Sequence, residues 1–342
     1  LTRTDGRSKV AAAAEPPTLE TVAAVAGVSR ATVSRVINSS PKVSPRVREV
    51  VEAAIARTGY VPNRAARTLV TRRTDSVALV VQEPETRLFG DPYLSAIVRS
   101  VGAELADTDN QLVLMMVRTA AQQDRLERYL RGGHVDGALL VSLHGDDSLA
   151  GRLHDAGMPV VVGGRPLGPG ADFVYVDADN VGGARAAVEH LSARGRRRIA
   201  TIAGPQDMCA GVDRLRGYLD AVPGPALVAH ADFGRAGGAA AMRTLLAEAP
   251  DLDAVFAASD LMAVGAMAAL AAAGRRVPED VAVVGFDDAD VAGWAEPALT
   301  TVRQQVAEQG RLMTRLLLER IGGGGLGTSA VLGTTLVERR SS

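Results

Sequence analysis

The stretch from Thr18 to Leu69 constrains this chain more than any other. Leu19, Val22, Ala23 and Ala26 recur at helical spacing, and Gly27 breaks the run as glycine does just past a helix end. Ser29 is a candidate N-cap for a second helix with Val33, Val36 and Ile37 on its buried side. Two short helices joined by a tight glycine turn predict a helix-turn-helix. In that motif the second helix lies in the major groove of DNA and presents its N-terminal residues to base edges. Here those residues are Ser29, Arg30, Ala31 and Thr32, with Ser34 and Arg35 one turn on and Asn38 at the far end. A third helix is expected from Val43 to Arg57. Ser44 is its cap, Pro45 suits its first position, and Val47, Val50, Val51, Ala54 and Ile55 form its apolar side.

Charge points the same way. Residues 18–73 hold ten Lys or Arg against three acids, a net +7, while the whole chain carries −1. A basic head on an acidic body predicts nucleic-acid binding, with phosphate contacts supplying the sequence-independent affinity. A small helical domain with a solvated basic face would carry the same charge. The caps, the glycine turn and the polar recognition face favour DNA.

The motifs VAAVAGVSRATVSRVIN, VSPRVREVVEAAI and TGYVPNRAARTL occur in order, and together they resemble the N-terminal signature of the LacI/GalR family of bacterial transcription regulators. Residues 63–69 are too short to hold a helix alone in water. In the family this segment is a hinge helix that folds when two subunits pair on DNA. The resemblance places Asn63, Ala66 and Leu69 on the minor groove, with Leu69 as an apolar wedge that opens a base step. Packing of Leu69 on the body is the plainer alternative. Residues 1–17 are polar, alanine-rich and broken by Pro16-Pro17, and are read as a disordered arm.

At 342 residues, two or three domains are expected, and a hydrophobic fraction of 47% is ample for buried cores. From Ser76 onward, short apolar runs alternate with helical patterns. The runs are Val77 to Val81, Gln111 to Val117, Val135 to Val141 and Val160 to Val162. The alternation restarts after Val174, with runs at Arg198 to Ala203, Ala226 to Ala229, Ala254 to Ala257 and Val281 to Val284. This predicts two doubly wound halves with parallel sheets and a small-molecule cleft between them. The expected fold is therefore α+α/β: a helical head and a two-lobed body. The resemblance implies a periplasmic-binding-protein-like body at 76–342 after a head at 18–62 and a hinge and linker at 63–75. It implies a first lobe of about 76–178 plus 306–321, and a second of about 179–302 plus 332–338. The family's leucine-heptad tail has no counterpart before Ser342, which implies a homodimer.

The resemblance also implies a set of effector-binding residues. Arg214 sits in an Arg-x-x-Gly-aromatic motif, and Asp287 ends the strand-like VAVVGFDD. Ser259, Gln304, Phe233, Tyr93 and Leu94 fall at pocket positions. A guanidinium offers paired planar donors to hydroxyls or carboxylates, and Phe233 can stack on a sugar or base face. Each has a plainer reading: a surface ion pair for Arg214, a solvated turn for Asp287, Asp288 and Asp290, ordinary core for Phe233. Gly164 stands where many family members carry aspartate, and Arg165 beside it either compensates or is structural.

Catalysis finds no support: there is no G-x-S-x-G elbow, and the five histidines lie apart without metal-ligand spacing. Asp287, Asp288 and Asp290 make a weak metal candidate. No cofactor and no metal are expected. The single cysteine, Cys209, excludes an intrachain disulfide and reads as a packing residue in a reducing compartment. No secretory pattern and no apolar run of the roughly 18–20 residues that span a membrane appear, so a cytoplasmic location is expected. The implied function is a sequence-specific repressor that binds a near-palindromic operator as a dimer and responds to a small molecule, a sugar by family precedent, acting as inducer. A solute-binding protein explains the body but not the head. An α/β enzyme needs a catalytic constellation that the residues do not supply.

Overall fold

The computed structural model describes residues 16–37, 40–61, 73–145, 149–167, 173–325 and 327–342. The chain divides into two compact units, Leu1–Thr74 and Asp75–Ser342.

The first unit is a three-helix head. Helix α1 is Leu19–Ala26, α2 is Arg30–Ile37 and α3 is Pro45–Thr58. Thr18 caps α1 through a reciprocal pair with Thr21, and Gly27 ends it in the left-handed region (φ 65°), its N–H bonding to the Ala23 carbonyl. Ser29 starts α2, its Oγ accepting from the Thr32 N–H at 3.1 Å. Val22, Ala23, Val33, Val36, Val51 and Ala54 are the buried core. Two expectations about α3 need correction. Ser44 occupies the cap position, but its side chain accepts no capping bond. Val50 is 44% exposed, because the helix turns Val47, Val51 and Ala54 inward and leaves Val50 on the flank. Two of the basic residues also tie the helices together. Arg48 donates to the Ser40 and Val36 carbonyls and Arg57 to that of Val25. These carbonyls lie in or near the last turns of α2 and α1, where the helix dipole favours a cation.

The second unit holds two six-stranded sheets. Its elements run β1 Ser76–Val81, α4 Glu85–Gly90, α5 Pro92–Leu105, β2 Gln111–Met116, α6 Ala120–Tyr129, β3 Gly137–Val141, α7 Leu149–Asp155, β4 Val160–Gly163 and β5 Val174–Ala178. They continue as α8 Asn180–Ala193, β6 Ile199–Ala203, α9 Cys209–Ala221, β7 Leu227–His230, α10 Arg235–Glu248, β8 Ala254–Ala257, α11 Asp260–Ala272 and β9 Ala282–Asp287. The last are α12 Asp290–Trp294, β10 Thr300–Arg303, α13 Val306–Ile321, β11 Ala330–Leu332 and β12 Thr335–Val337. Strand order is β11-β5-β4-β3-β1-β2 in the first lobe and β12-β10-β9-β8-β6-β7 in the second. Described pairings are parallel except β10 with β12. The central strands β1, β3 and β8 are buried along nearly their whole length, which explains their continuous apolar runs.

The chain passes between lobes three times. It leaves β5 for α8, returns from β10 to α13, and crosses once more between β11 and β12. The short strands β10 and β11 and the helices α4 and α12 carry too little pattern to read from the sequence alone.

Within each lobe the chain reverses direction across the sheet at one strand, β1 in the first lobe and β6 in the second, because later strands add on its other side. The loops leaving the carboxyl ends of such strands diverge and open a crevice. In the second lobe α10 and α11 cross with their backbones in near contact. A Cβ on Gly265 would lie 2.1 Å from the Arg235 carbonyl oxygen, and one on Gly238 would lie 2.3 Å from that of Met262.

Candidate functional site

Two sites emerge, one in each unit. In the head, Ser29, Arg30, Ala31 and Arg35 are exposed, and Thr32 and Ser34 are half-buried, on the side of α2 opposite Val33 and Val36. Arg30 Nε lies 3.1 Å from Glu20 of α1. This helix therefore offers two guanidiniums, hydroxyls and an alanine on one outward face. Asn38, Asn63, Ala66 and Leu69 lie outside the described residues.

In the body, a cavity of about 600 Å³ lies between the carboxyl ends of the two sheets. Its size falls within the usual range of small-molecule sites. Arg214, Asp287, Gln304, Phe233, Ser259 and Tyr93 all line it. Leu94 does not: it is buried in the first lobe's core beside Ile97 and Val101. One helical step separates the two neighbours, and only Tyr93 faces the cleft.

Arg214 is the centre of the site. It projects from α9 and is only 5% exposed. Its Nε donates to Asn180 Oδ1 at 2.9 Å, and one terminal nitrogen donates to the Ala258 carbonyl at 2.7 Å and to Asp287 Oδ1 at 3.3 Å. The guanidinium lies 3.7 Å from the centre of the Phe286 ring and 5.7 Å from that of Phe233. Gln304 Nε2 holds the same Asp287 oxygen at 2.6 Å. Asp287 sits at φ 118° and Phe233 at φ 63°, sparsely populated backbone regions for such residues. Burial pushes the Asp287 carboxyl up to about 6 despite the pull of Arg214. Asp260, buried next to it, is raised by the same desolvation and by the charge of Asp287.

Ser259 contributes wall rather than a donor. Its hydroxyl donates to the Phe233 carbonyl and accepts from the Met262 N–H, which fixes the Phe233 turn and the start of α11. Asp288 faces away from the Arg214 cluster and is bonded to Arg303 and Arg339 at 2.6 Å each. Among the described residues no group of three His, Cys, Asp or Glu is placed to hold a metal.

Several cavity residues escaped sequence reasoning. Asp91 caps α5 through the Tyr93 N–H at 2.9 Å, and Asp177 accepts from the Arg165 and Ala178 N–H groups and from Asn180 Nδ2. Burial raises both carboxyls. Gln309 Nε2 donates to the Val176 carbonyl and its Oε1 accepts from Tyr93 at 3.3 Å. A polar residue at a strand's carboxyl end was the available signal, in VDADN as in VGFDD. Burial also keeps the Tyr93 phenol protonated.

Gly164 takes φ 95°, and a Cβ there would meet Cys209 Sγ of the other lobe at 3.1 Å. An aspartate at this position would be strained and crowded. Arg165 instead reaches across to Asp213, with both oxygens within 2.9 Å. Cys209 is half-buried, and desolvation pushes its thiol up to about 12, which makes it an unreactive wall residue. Buried acids, amides and a guanidinium flanked by aromatic rings suit a neutral, hydroxyl-rich ligand with an apolar face. Among the described residues no helix is long and apolar enough to cross a membrane.

Comparison with known proteins matches residues 18–63 to the model "Bacterial regulatory proteins, lacI family" and residues 188–342 to a periplasmic binding protein-like domain. The HTH-type transcriptional regulator CelR of Thermobifida fusca is 57% identical over 314 residues, 90% of this chain and 92% of that protein. A solved structure described as a transcriptional regulator CelR–cellobiose complex superposes with a TM-score of 0.76 at 53% identity, covering 95% of this chain and all of the other. The lac repressor dimer bound to operator and the anti-inducer ONPF superposes with a TM-score of 0.83 at 29% identity, covering 96% and 99%.

Proposed function

The chain belongs to the lacI family of bacterial regulatory proteins, and from that premise we propose that it is a dimeric repressor whose inter-lobe cavity binds a carbohydrate. The observation that carries the ligand class is the Arg214–Asp287–Gln304 cluster facing Phe233 in a cavity of about 600 Å³. It offers donors and acceptors for hydroxyls and an aromatic face for a sugar ring's C–H side. The CelR–cellobiose relative supports a disaccharide. On this reading Tyr93, Arg214, Phe233, Asp287 and Gln304 contact the ligand directly, and Ser259 acts through the wall it fixes. The head (residues 18–62) reads DNA, the segment 63–75 links it to the body, and the cytoplasm, where operator DNA lies, is the location.

In the dimer, two heads occupy half-sites of a near-palindrome. The face of α2 that carries Arg30, Ala31 and Arg35 chooses sequence. The sugar alters operator affinity only through its differential affinity for the two arrangements of the lobes. We assign it the role of inducer. The test is selection from random duplexes at physiological salt, followed by titration of the enriched duplex complex with cellobiose, a hexose, a pentose and a nucleoside. A near-palindromic consensus that a sugar releases is expected. Enrichment of no sequence, or release by the nucleoside alone, overturns the reading.

Leu69 carries a prediction of its own as the minor-groove wedge. Leu69→Ala is expected to weaken binding to the selected duplex by about tenfold or more while binding to random duplex changes little, because only the specific complex repays unstacking with a bend. Equal losses on both duplexes would remove the wedge assignment.

A further inference from the structure

Away from the Arg214 cluster, two ion pairs among the described residues join the lobes directly. Arg165, just after β4, pairs with Asp213 on α9. His144, in the loop after β3, places Nδ1 2.9 Å from Asp207 Oδ2 in the loop after β6, and the Gly145 N–H donates to the Asp207 carbonyl at 2.6 Å. The other ring nitrogen of His144 lies 3.3 Å from Glu83 Oε1 of its own lobe. We propose that His144 and Arg165 are positioning residues that clasp the lobes shut over the cavity, and that the His144 half of the clasp holds only while its ring carries both protons.

The argument rests on hydrogen-bond valence. An ionised carboxylate only accepts, and a neutral imidazole has one donor and one acceptor nitrogen. Held between Glu83 and Asp207, either neutral tautomer sets a lone pair against a carboxylate. The imidazolium satisfies both. Among the described residues the charged groups around it are Glu83 from the loop after β1, Arg87 from α4 and Asp207 from the other lobe. Arg87 lies 3.1 Å from Glu83 and 3.7 Å from Asp91. Gln82 Oε1 accepts the His144 backbone N–H at 3.4 Å. Glu83 is 4% exposed and keeps Arg87 as a second partner. Asp207 is exposed, so the contact that yields on deprotonation is the one between lobes.

The hydrogen bond to Glu83 foremost, and then that to Asp207, raise the His144 pKa against the opposing effect of burial. The closed-state value therefore lies above 6.5, the clasp is complete below about pH 6.5, and it is lost as pH climbs through the raised value. Arg165 stays charged throughout, so its half of the clasp is independent of pH.

This inference rests on the cavity being the effector site, and the experiment separates the two ideas. Spin labels are placed on the full-length chain at Arg128→Cys on α6 and Arg243→Cys on α10, both exposed. Cys209 is retained, its thiol pushed up to about 12 and slow to label. Electron–electron distance measurements without ligand are expected to show the short, closed distance at about pH 6.5 and a shift to a longer one at about pH 8.5. His144→Gln should abolish the step. Arg165→Met should enrich the longer distance at both pH values and keep the step. Between the two pH values cellobiose affinity should fall about two- to fivefold more in the parent than in His144→Gln, the range expected of a half-exposed pair. Asp287 is intact in every variant, so its titration cancels. A parent with no distance step, or a His144→Gln variant that titrates like the parent, overturns the clasp. Distances that behave as expected in a protein that binds no cellobiose uphold the clasp and overturn cellobiose as the ligand.

Discussion

Arg214→Met is expected to cost the protein its sugar response, by about a hundredfold or more in ligand affinity, while operator binding through the head persists. Methionine keeps the length of the side chain and removes every donor. Asn180 Oδ1, the Ala258 carbonyl and Asp287 then lose their shared partner inside a buried wall. Truncating one member of a buried, hydrogen-bonded charge pair costs roughly 2–5 kcal/mol, and here the loss falls on the surface that receives the ligand. The variant also carries a pH signature. Burial already pushes the Asp287 carboxyl up to about 6, and without Arg214 it rises further. A carboxyl raised above its unfolded value favours folding below that unfolded value and loses this contribution as pH climbs through the folded one. The stability deficit of Arg214→Met should therefore shrink as pH falls from 7 towards about 5, followed by denaturant midpoints at each pH. A variant that still releases its operator with wild-type sugar dependence would remove Arg214 from the site.

The second large effect is on stability and turns on one hydrogen replaced by a methyl. Gly265→Ala brings a gain of up to about 1 kcal/mol in helix propensity. Against it stands a Cβ 2.1 Å from the Arg235 carbonyl oxygen and 2.9 Å from the Ala239 nitrogen, both backbone atoms of α10. Neither can rotate away, so α10 and α11 must separate, and overpacking of that kind costs about 3 kcal/mol. Net destabilisation of about 2 kcal/mol follows. Gly102→Ala in α5 is the control. Its Cβ meets nothing within 4 Å, so propensity acts alone and the change is expected to stabilise. Guanidinium melts of both variants should move in opposite directions from the parent. Midpoints shifted the same way would show that backbone proximity does not govern this crossing.

The features legible beforehand were those written in short-range chemistry. Gly27 and Ser29 punctuate the head because caps and left-handed turns act within four residues. The apolar runs of β1, β3 and β9 read as buried strands because parallel strands covered on both faces have no polar side to show. Val50 was misread because positions on the edge of an apolar stripe are decided by what packs opposite, in this case α1 and α2. The membership of β11 in one sheet and β12 in the other depends on pairing with β5 and β10, more than a hundred residues and some thirty residues earlier respectively. No local pattern encodes that choice. In the cavity, Arg214 and Asp287 were found through motifs. Gln309 was not, because its partners Tyr93 and Val176 lie more than a hundred residues earlier, and Asp177 was passed over although it lies near the end of its strand as Asp287 does. Tyr93 and Leu94 show the finest limit: a motif located the helix start, and only the packing of Leu94 against Ile97 and Val101 decided which neighbour faces the cleft.

The three crossings between lobes have a consequence for how the protein is made. Residues 330–337 supply an edge strand to each sheet, and Ser341 is buried, its Oγ donating to the Val283 carbonyl and accepting from the Thr300 N–H. A ribosome extrudes the head well before these residues. The three-helix head needs only local contacts and can form while the rest is still being translated. Neither lobe can close its sheet until residues 330–337 have emerged. For that interval the nascent protein carries a finished DNA reader with an unfinished receiver, and control by ligand begins only when residues 330–342 have left the exit tunnel.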